Sequence, residues 1–242
     1  MNNSENALVY WGLALVAGAY SLLSLRLVRQ ESWQEPVNRI GLGMLAAALL
    51  TVVWSGFSLL ALTVSADWWL GAQSADMLRY LCWGVFVALF FNTSAGAPQG
   101  PWYRWLPGLA SAGLLGVPAL IVLVNVLAGA TGQMFLMVLL ALGGLVLVEQ
   151  LFRNLPEDSL WSAKPVCLGL AGTFLFDLYL FSQGVLFQGV DPDALSARPL
   201  VHALMVPLLL LATTRHRNWI TKIRVSRKVV FHSATLVLVG LY

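Results

Sequence analysis

The sequence has little charge and few of the side chains that build catalytic or metal sites. Charged residues make up 10% of the 242 positions, against roughly 25% in ordinary soluble domains. Its three histidines and two cysteines stand at none of the spacings that zinc ligands take. A G-x-S-x-G turn, an H-E-x-x-H helix and a glycine-rich phosphate loop are also missing. We therefore expect no catalytic residue, no metal site and no bound cofactor in this chain.

What the chain has in excess is apolar surface. Hydrophobic residues make up 59% of the sequence, and the mean hydropathy is +0.77. A soluble fold cannot bury that much apolar area, so the composition predicts an all-α polytopic transmembrane bundle. The net charge of +3 is small and concentrated at particular places, so it indicates membrane orientation rather than nucleic-acid binding. Cys82 and Cys167 fall in separate apolar segments, and we expect no disulfide between them.

Uncharged runs of about 20 residues, the length of a helical membrane span, recur along the chain. The first lacks the basic start of a cleaved signal peptide, so it is expected to be retained. Gly129-Ala130-Thr131-Gly132 is expected to turn the chain between two spans. The seven predicted spans are 7–25, 40–66, 77–91, two within 105–148, 165–187 and 199–214. An eighth apolar run at 229–242 is too short to cross a bilayer, which predicts that the chain is a fragment of a longer protein.

The positions of the basic residues predict the orientation. If the N-terminus is outside, all 14 lysines and arginines except Arg79 and Arg198 fall on the inner side. Most tryptophans lie at predicted span ends, and only Trp54 and Trp83 lie well inside spans. The division is a transmembrane domain at 1–214, a basic cytoplasmic loop at 215–228 and the start of an eighth helix at 229–242. The basic block that anchors the inner side consists of Arg215, Arg217, Lys222, Arg224, Arg227 and Lys228.

Asp177 is the acidic residue nearest the middle of a predicted span. A carboxylate at that depth costs about 2.5–3.5 kcal/mol on insertion scales, so it is expected to face protein or water. Thr173 lies one turn earlier and is placed to hydrogen-bond with it. Two interpretations stay open: a ligand-binding or proton-sensing group, and a packing contact with a neighbouring helix. Further sensing candidates are Tyr179, Ser182 and Gln183 on another face of the same helix, and His202, which is either a pH sensor or a neutral packed imidazole.

Two segments, 149–187 and 222–242, resemble the N-terminal membrane region of the PrsK-type histidine kinases, which are associated with the exosortase/PEP-CTERM system of Gram-negative bacteria. The first reads EQLFRNLPEDSLWSAKPVCLGLAGTFLFDLYLFSQGVLF and the second KIRVSRKVVFHSATLVLVGLY. The resemblance implies a multi-pass sensor in the bacterial inner membrane, with signal transduction to a GAF-type domain, a phosphoacceptor helix and an ATPase domain. It implies ATP and magnesium in that kinase module, a homodimer, and a response regulator that controls exopolysaccharide and PEP-CTERM genes. His216 and His232 are not followed by a phosphoacceptor box, so this chain itself is expected to have no kinase activity.

Two other classes remain open beside the sensor of a two-component system. One is a small-solute transporter or channel subunit, which requires a polar pathway between the two faces. The other is a purely structural anchor, which requires no deep polar residue. Membrane lipid is the expected surrounding in each case, and the basic block next to anionic lipid is expected either to relay the sensor state or to anchor topology.

Overall fold

The computed structural model describes residues 3–29, 37–94, 106–155 and 157–215, and these ranges are almost entirely helical. A single 3₁₀ turn, Ala66–Trp68, separates the second helix from the third. The helices are α1 (Asn3–Arg29), α2 (Val37–Thr63), α3 (Trp69–Ser94), α4 (Leu106–Asn154), α5 (Glu157–Phe187) and α6 (Pro192–Arg215). The predicted all-α class is therefore confirmed for the part of the chain that the structure describes.

Five of these helices are long and apolar enough to cross a membrane. The qualifying segments are Ala7–Arg29, Ile40–Thr63, Gly116–Asn154, Ala163–Phe187 and Pro192–Thr213. Large apolar side chains point outward along these segments, for example Leu22 at 64% exposed and Leu204 at 70%. An outer surface of this kind suits a lipid environment, which agrees with the multi-pass membrane class predicted from composition.

Helix α4 is two helical arms that reverse direction at Gly129. That residue has φ 62° and ψ −158°, a backbone region open almost only to glycine. The Gln133 side-chain amide donates to the Ile121 carbonyl at 3.4 Å. In a straight helix twelve residues would separate these groups by about 18 Å, so the chain must fold back between them. The turn lies where the breaker residues predict it.

The helices form a closed ring in which each one packs on the next and α6 returns to α1. Glycines let neighbouring helices approach closely, as in many membrane bundles. A Cβ at Gly144 of α4 would stand 2.8 Å from the Phe174 ring of α5, and one at Gly12 of α1 would stand 3.1 Å from Pro199 of α6. The ring encloses an interior into which α2, α3, α5 and α6 each direct polar or aromatic side chains.

Three helices begin well before the spans predicted within them. Helix α3 begins at Trp69 rather than residue 77, α5 at Glu157 rather than residue 165, and α6 at Pro192 rather than residue 199. The start of α6 is capped by Asp191, whose carboxylate accepts from the Asp193 amide at 3.1 Å, with Pro192 in the first helical position. Hydropathy places these three starts too late because the charged residues near the starts of the helices resemble those of loops.

Of the basic block, Arg215 is the last residue of α6. The other members, Arg217, Lys222, Arg224, Arg227 and Lys228, lie outside the described residues. So does the predicted eighth helix at 229–242. The relay and anchor hypotheses for this segment both stay predictions.

Candidate functional site: a buried ionic cluster

Charged and hydrogen-bonding side chains from three helices meet inside the ring. Each is at most 6% exposed. We call this set the ionic cluster; it consists of Asp76, Arg79 and Tyr80 of α3, Asp177 of α5, and Arg198 and His202 of α6. The spacings i, i+3 and i+4 on α3, and i, i+4 on α6, put each helix's members on one face.

Asp76 is held by both guanidinium groups of the cluster. Arg79 donates from Nε to its Oδ1 at 2.6 Å, one helical turn away. Arg198 binds it in a bidentate fork, with Nη1 2.8 Å from Oδ2 and Nη2 3.1 Å from Oδ1. Parallel bonds of this type are the strongest ion-pair geometry for arginine. Asp76 therefore joins α3 to α6.

Asp177 is fully buried and is the most heavily coordinated group in the cluster. Arg198 donates to it from Nε at 2.8 Å and from Nη2 at 3.3 Å, and Arg79 from Nη2 at 3.5 Å. The Tyr80 hydroxyl donates to its Oδ2 as well. This carboxylate of α5 thus accepts from α3 and α6 together.

His202 lies between an arginine and a carboxylate, and this fixes its tautomer. Its Nδ1 is 3.0 Å from Nη1 of Arg79, and its Nε2 is 3.0 Å from Oδ2 of Asp177. Because a guanidinium can only donate, Nδ1 must accept, and the ring proton is assigned to Nε2, which donates to Asp177. The neutral imidazole satisfies both of its nitrogens in this position.

The indole ring of Trp54, on α2, packs against the ionic cluster. The guanidinium carbon of Arg79 is 4.2 Å from its ring centroid and that of Arg198 is 4.9 Å away. The His202 ring centroid is 5.6 Å away. One indole therefore makes cation–π contacts with both arginines, which helps to hold two like charges close together.

The cluster is electrically balanced. Two carboxylates face two guanidinium groups, and His202 is neutral in the arrangement described. Isolated charges are very costly in a lipid-surrounded interior, whereas paired and fully hydrogen-bonded ones are tolerated. The pairing explains how α3 and α6 carry arginines inside a bundle of this hydropathy.

The depth of the cluster follows from helix geometry. Asp76 lies seven positions after the start of α3, and His202 ten positions after the start of α6. At 1.5 Å per residue these distances are about 10 Å and about 15 Å. Both are measured from the same end of the ring, where connections 64–68 and 188–191 lie. The cluster is thus well inside the bundle but nearer to this end.

Asp177 faces protein, as the sequence predicts, but the expected hydrogen bond from Thr173 is wrong. The Thr173 hydroxyl donates its proton to the Leu170 carbonyl at 2.9 Å, within its own helix, so it has none for the ionised Asp177. Tyr179 is 52% exposed and accepts from the Gln183 amide at 2.8 Å. Tyr179, Gln183 and the half-buried Ser182 lie away from the ionic cluster, on another face of α5.

Five other members of the site are not apparent from the sequence: Asp76, Arg79, Tyr80, Arg198 and Trp54. Its pattern places Arg79 and Arg198 among the outer charges and Asp76 in a loop, although all three are buried within helices. Trp54 stands out as unusually deep but without a role. The available signal is the spacing of Asp76 and Arg79, which is that of an intrahelical ion pair.

The side chains of the ionic cluster form hydrogen bonds and ion pairs with one another rather than an open metal site. Within the described ranges no group of three or more histidine, cysteine, aspartate or glutamate side chains is placed to hold a metal ion. Both carboxylates are already occupied by arginines. Each arginine contacts both carboxylates, so the ion pairs can rearrange within the cluster, and His202 can accept a proton.

Protein-family models, curated proteins and solved structures were all compared with the chain, and none of them matches it. The fold and the ionic cluster define only a broad class of protein. In the residues that the structure describes, the chain is an all-α protein with several apolar helices suited to crossing a membrane and an ionic cluster among three of its helices.

Proposed function

We propose that this chain is the membrane sensor region of a bacterial inner-membrane histidine kinase. The observation that carries the proposal is the ionic cluster, which ties α3, α5 and α6 together by buried charge. Two of its members, Arg198 and His202, belong to α6, whose last residue is Arg215 at the start of the basic block. A rearrangement of the cluster would therefore be transmitted along α6 toward the segment that leads to the output module.

The proposed topology has seven spans with the N-terminus outside. Helices α1, α2, α3, α5 and α6 together with the two arms of α4 account for seven helical segments. The burial of Arg79 and Arg198 supports the orientation, because these are the two basic residues that oppose it. Once paired with Asp76 and Asp177, they no longer count as basic charges of a loop.

A sensor requires an element with two arrangements whose balance a stimulus can shift. Buried ionic networks are suited to this role because each partner is expensive to leave unpaired, so they exchange partners rather than loosen gradually. Arg79 and Arg198 each contact both carboxylates of the cluster, which provides the alternative pairings.

The proposed output follows the resemblance to PrsK-type kinases. A kinase module beyond residue 242 would use ATP and magnesium, function as a homodimer and pass phosphate to a response regulator that controls exopolysaccharide and PEP-CTERM genes. The direct experiment is to express the complete reading frame in membranes and measure incorporation of labelled phosphate from ATP. Labelling that is stable to alkali and labile to acid supports a phosphohistidine kinase, and a complete protein that takes up no phosphate contradicts it.

One observation favours a second candidate, a proton-coupled transporter. Aspartate, histidine and arginine at membrane depth are also the components of proton relays in transporters. In this chain Asp177 and His202 are in direct contact at 3.0 Å. Uptake of solute by proteoliposomes that depends on a proton gradient would favour this class over the sensor.

A further inference from the structure

We propose that His202 is the signal-receiving group of the sensor, and that its ligand is a proton arriving from the end of the bundle at connections 64–68 and 188–191. The inference rests on the proposed function for its output, but the proton site itself can be tested without it. The juxtaposition that carries it is an imidazole fixed between the guanidinium of Arg79 and the carboxylate of Asp177.

Only one protonation state of His202 fits the observed contacts. The neutral ring accepts from Arg79 at Nδ1 and donates to Asp177 from Nε2, each across 3.0 Å. A second ring proton would sit on Nδ1 and point at the N–H of Arg79. Two donors and two positive charges would then face each other at hydrogen-bond distance, and that contact cannot persist.

The groups around His202 determine what replaces the lost contact. Helices α1, α2, α3 and α5 surround this face of α6, and every charged or titratable group that their described residues direct toward it belongs to the ionic cluster or borders it. These groups are Tyr20, which is buried on α1 within electrostatic range of Arg79 and Asp177, then Asp76, Arg79 and Tyr80 of α3, Asp177 of α5 and Arg198 of α6 itself.

Protonation of His202 would strengthen one of its contacts and break the other. The imidazolium keeps Asp177 and binds it more strongly, because the bond becomes charge-assisted on both sides. Arg79 keeps Asp76 at 2.6 Å and can withdraw toward it. Protonation thus breaks the contact of Arg79 with His202, which joins α3 and α6, and strengthens the contact of His202 with Asp177, which joins α5 and α6. The contacts that fix the position of α6 change as a result.

Trp54 provides a built-in reporter of this exchange. Its ring is 4.2 Å from the Arg79 guanidinium and 5.6 Å from the His202 ring. Withdrawal of the guanidinium removes a cation from the indole face and alters the fluorescence emission of Trp54.

The proton is proposed to arrive from the end of the bundle nearest the cluster. This end carries the exposed carboxylates of Asp67, Asp191 and Asp193, and in the proposed topology it faces the outside.

The first experiment follows the imidazole directly and needs no change at His202. The protein, labelled with ¹⁵N in its histidine rings, is reconstituted in lipid nanodiscs and titrated from about pH 8 to about pH 5, the range in which histidine charge normally changes. Substitutions His216→Gln and His232→Gln, one at a time, assign the three ring signals. We expect the His202 ring to pass from the Nε2–H tautomer to the imidazolium. A ring that stays neutral over the whole range overturns the proposal.

The second experiment tests whether protonation moves the cluster. Tryptophan emission is recorded over the same range for the parent protein and for Trp54→Phe, which isolates the Trp54 contribution. We expect an emission change that His202→Gln abolishes and His216→Gln leaves intact. A His202 ring that becomes charged with no change at Trp54 would overturn the exchange of partners.

These readouts separate the proton site from the kinase proposal. The nanodisc measurements concern only the membrane bundle, so they succeed or fail whatever the output module is. In the complete protein, phosphorylation that depends on external pH in the parent and not in His202→Gln connects the two. A complete protein without kinase activity but with both nanodisc transitions would retain the proton site and reject the histidine-kinase sensor.

Discussion

Arg198 and Asp76, 122 positions apart in the sequence, form a bidentate ion pair between α6 and α3 inside the bundle, at 2.8 and 3.1 Å. The same guanidinium donates from Nε to Asp177 of α5 at 2.8 Å. One side chain therefore connects α5 and α6, which are neighbours in sequence, to α3, which is far from both. Removal of this connection should affect the whole bundle rather than one helix.

We predict that Arg198→Gln destabilises the protein by about 3–5 kcal/mol, because it leaves two buried carboxylates with one cation. Unfolding in mixed detergent micelles measures the loss. The matched control is Arg153→Gln, since Arg153 pairs with Glu149 at 2.9 Å but is 71% exposed, and exposed pairs contribute about 0–1 kcal/mol. The double variant Asp76→Asn with Arg198→Gln restores charge balance and should cost less than the sum of its single changes. Equal losses for Arg198→Gln and Arg153→Gln would contradict the role of the buried pair.

Trp54 should contribute stability through its two cation contacts as well as through its size. Trp54→Leu is expected to cost more than Trp83→Leu, by about 1–2 kcal/mol. Trp83 is similarly buried, at 4% against 5% for Trp54, and makes an edge contact with Phe86 instead. Unfolding of both variants under the same conditions gives the difference. If Trp83→Leu costs as much as Trp54→Leu, the cation contacts contribute nothing measurable.

The approach of α4 to α5 at Gly144 should not tolerate a methyl group. A Cβ at Gly144 would lie 2.8 Å from the Phe174 ring, which also stacks on Tyr80 of the ionic cluster. Gly144→Ala is therefore expected to destabilise the protein by about 1–3 kcal/mol. A Cβ at Gly143 would meet open space, with nothing within 4 Å, so Gly143→Ala should be neutral or slightly stabilising. Thermal unfolding in detergent compares the neighbours, and equal midpoints would show that the helices can separate at no cost.

Thr173 should prove unimportant although it lies one turn from Asp177. Its hydroxyl satisfies the Leu170 carbonyl, so Thr173→Val removes only a bond within its own helix. We expect a loss under about 1 kcal/mol and an unchanged pH response of Trp54. A loss as large as that of Asp177→Asn would mean that Thr173 supports the carboxylate after all.

The sequence predicts the helices better than it predicts the cluster. Long apolar runs and the glycines at Gly129 and Gly132 act locally, so the all-α class and the turn within α4 follow from the chain alone. The ion pairs of the cluster do not, because pairs across 98 positions (Arg79 with Asp177) and 122 positions (Arg198 with Asp76) depend on which helices meet in the ring. Arg79 and Arg198 are predicted as outer loop charges for the same reason. A charged residue is assigned to a loop when the buried partner that neutralises it cannot be recognised from the sequence.

The start of α3 is predicted too late for a related reason. Asp76 and Arg79 lower its hydropathy, so the sequence predicts a short span from residue 77 where the helix begins at Trp69. Within the fold these two side chains neutralise each other one turn apart and turn inward. Hydropathy counts their charge in full, although in the bundle neither faces lipid.

The measurement that tests the central claim most directly is autophosphorylation of the complete protein in its native membrane, with Asp177→Asn compared with Thr173→Val at matched abundance. If the ionic cluster sets the sensor state, Asp177→Asn changes the rate several-fold and removes its dependence on external pH, while Thr173→Val behaves like the parent. If Asp177→Asn inserts normally and phosphorylates at the parental rate at every pH, the cluster only packs the bundle and the sensing role is refuted.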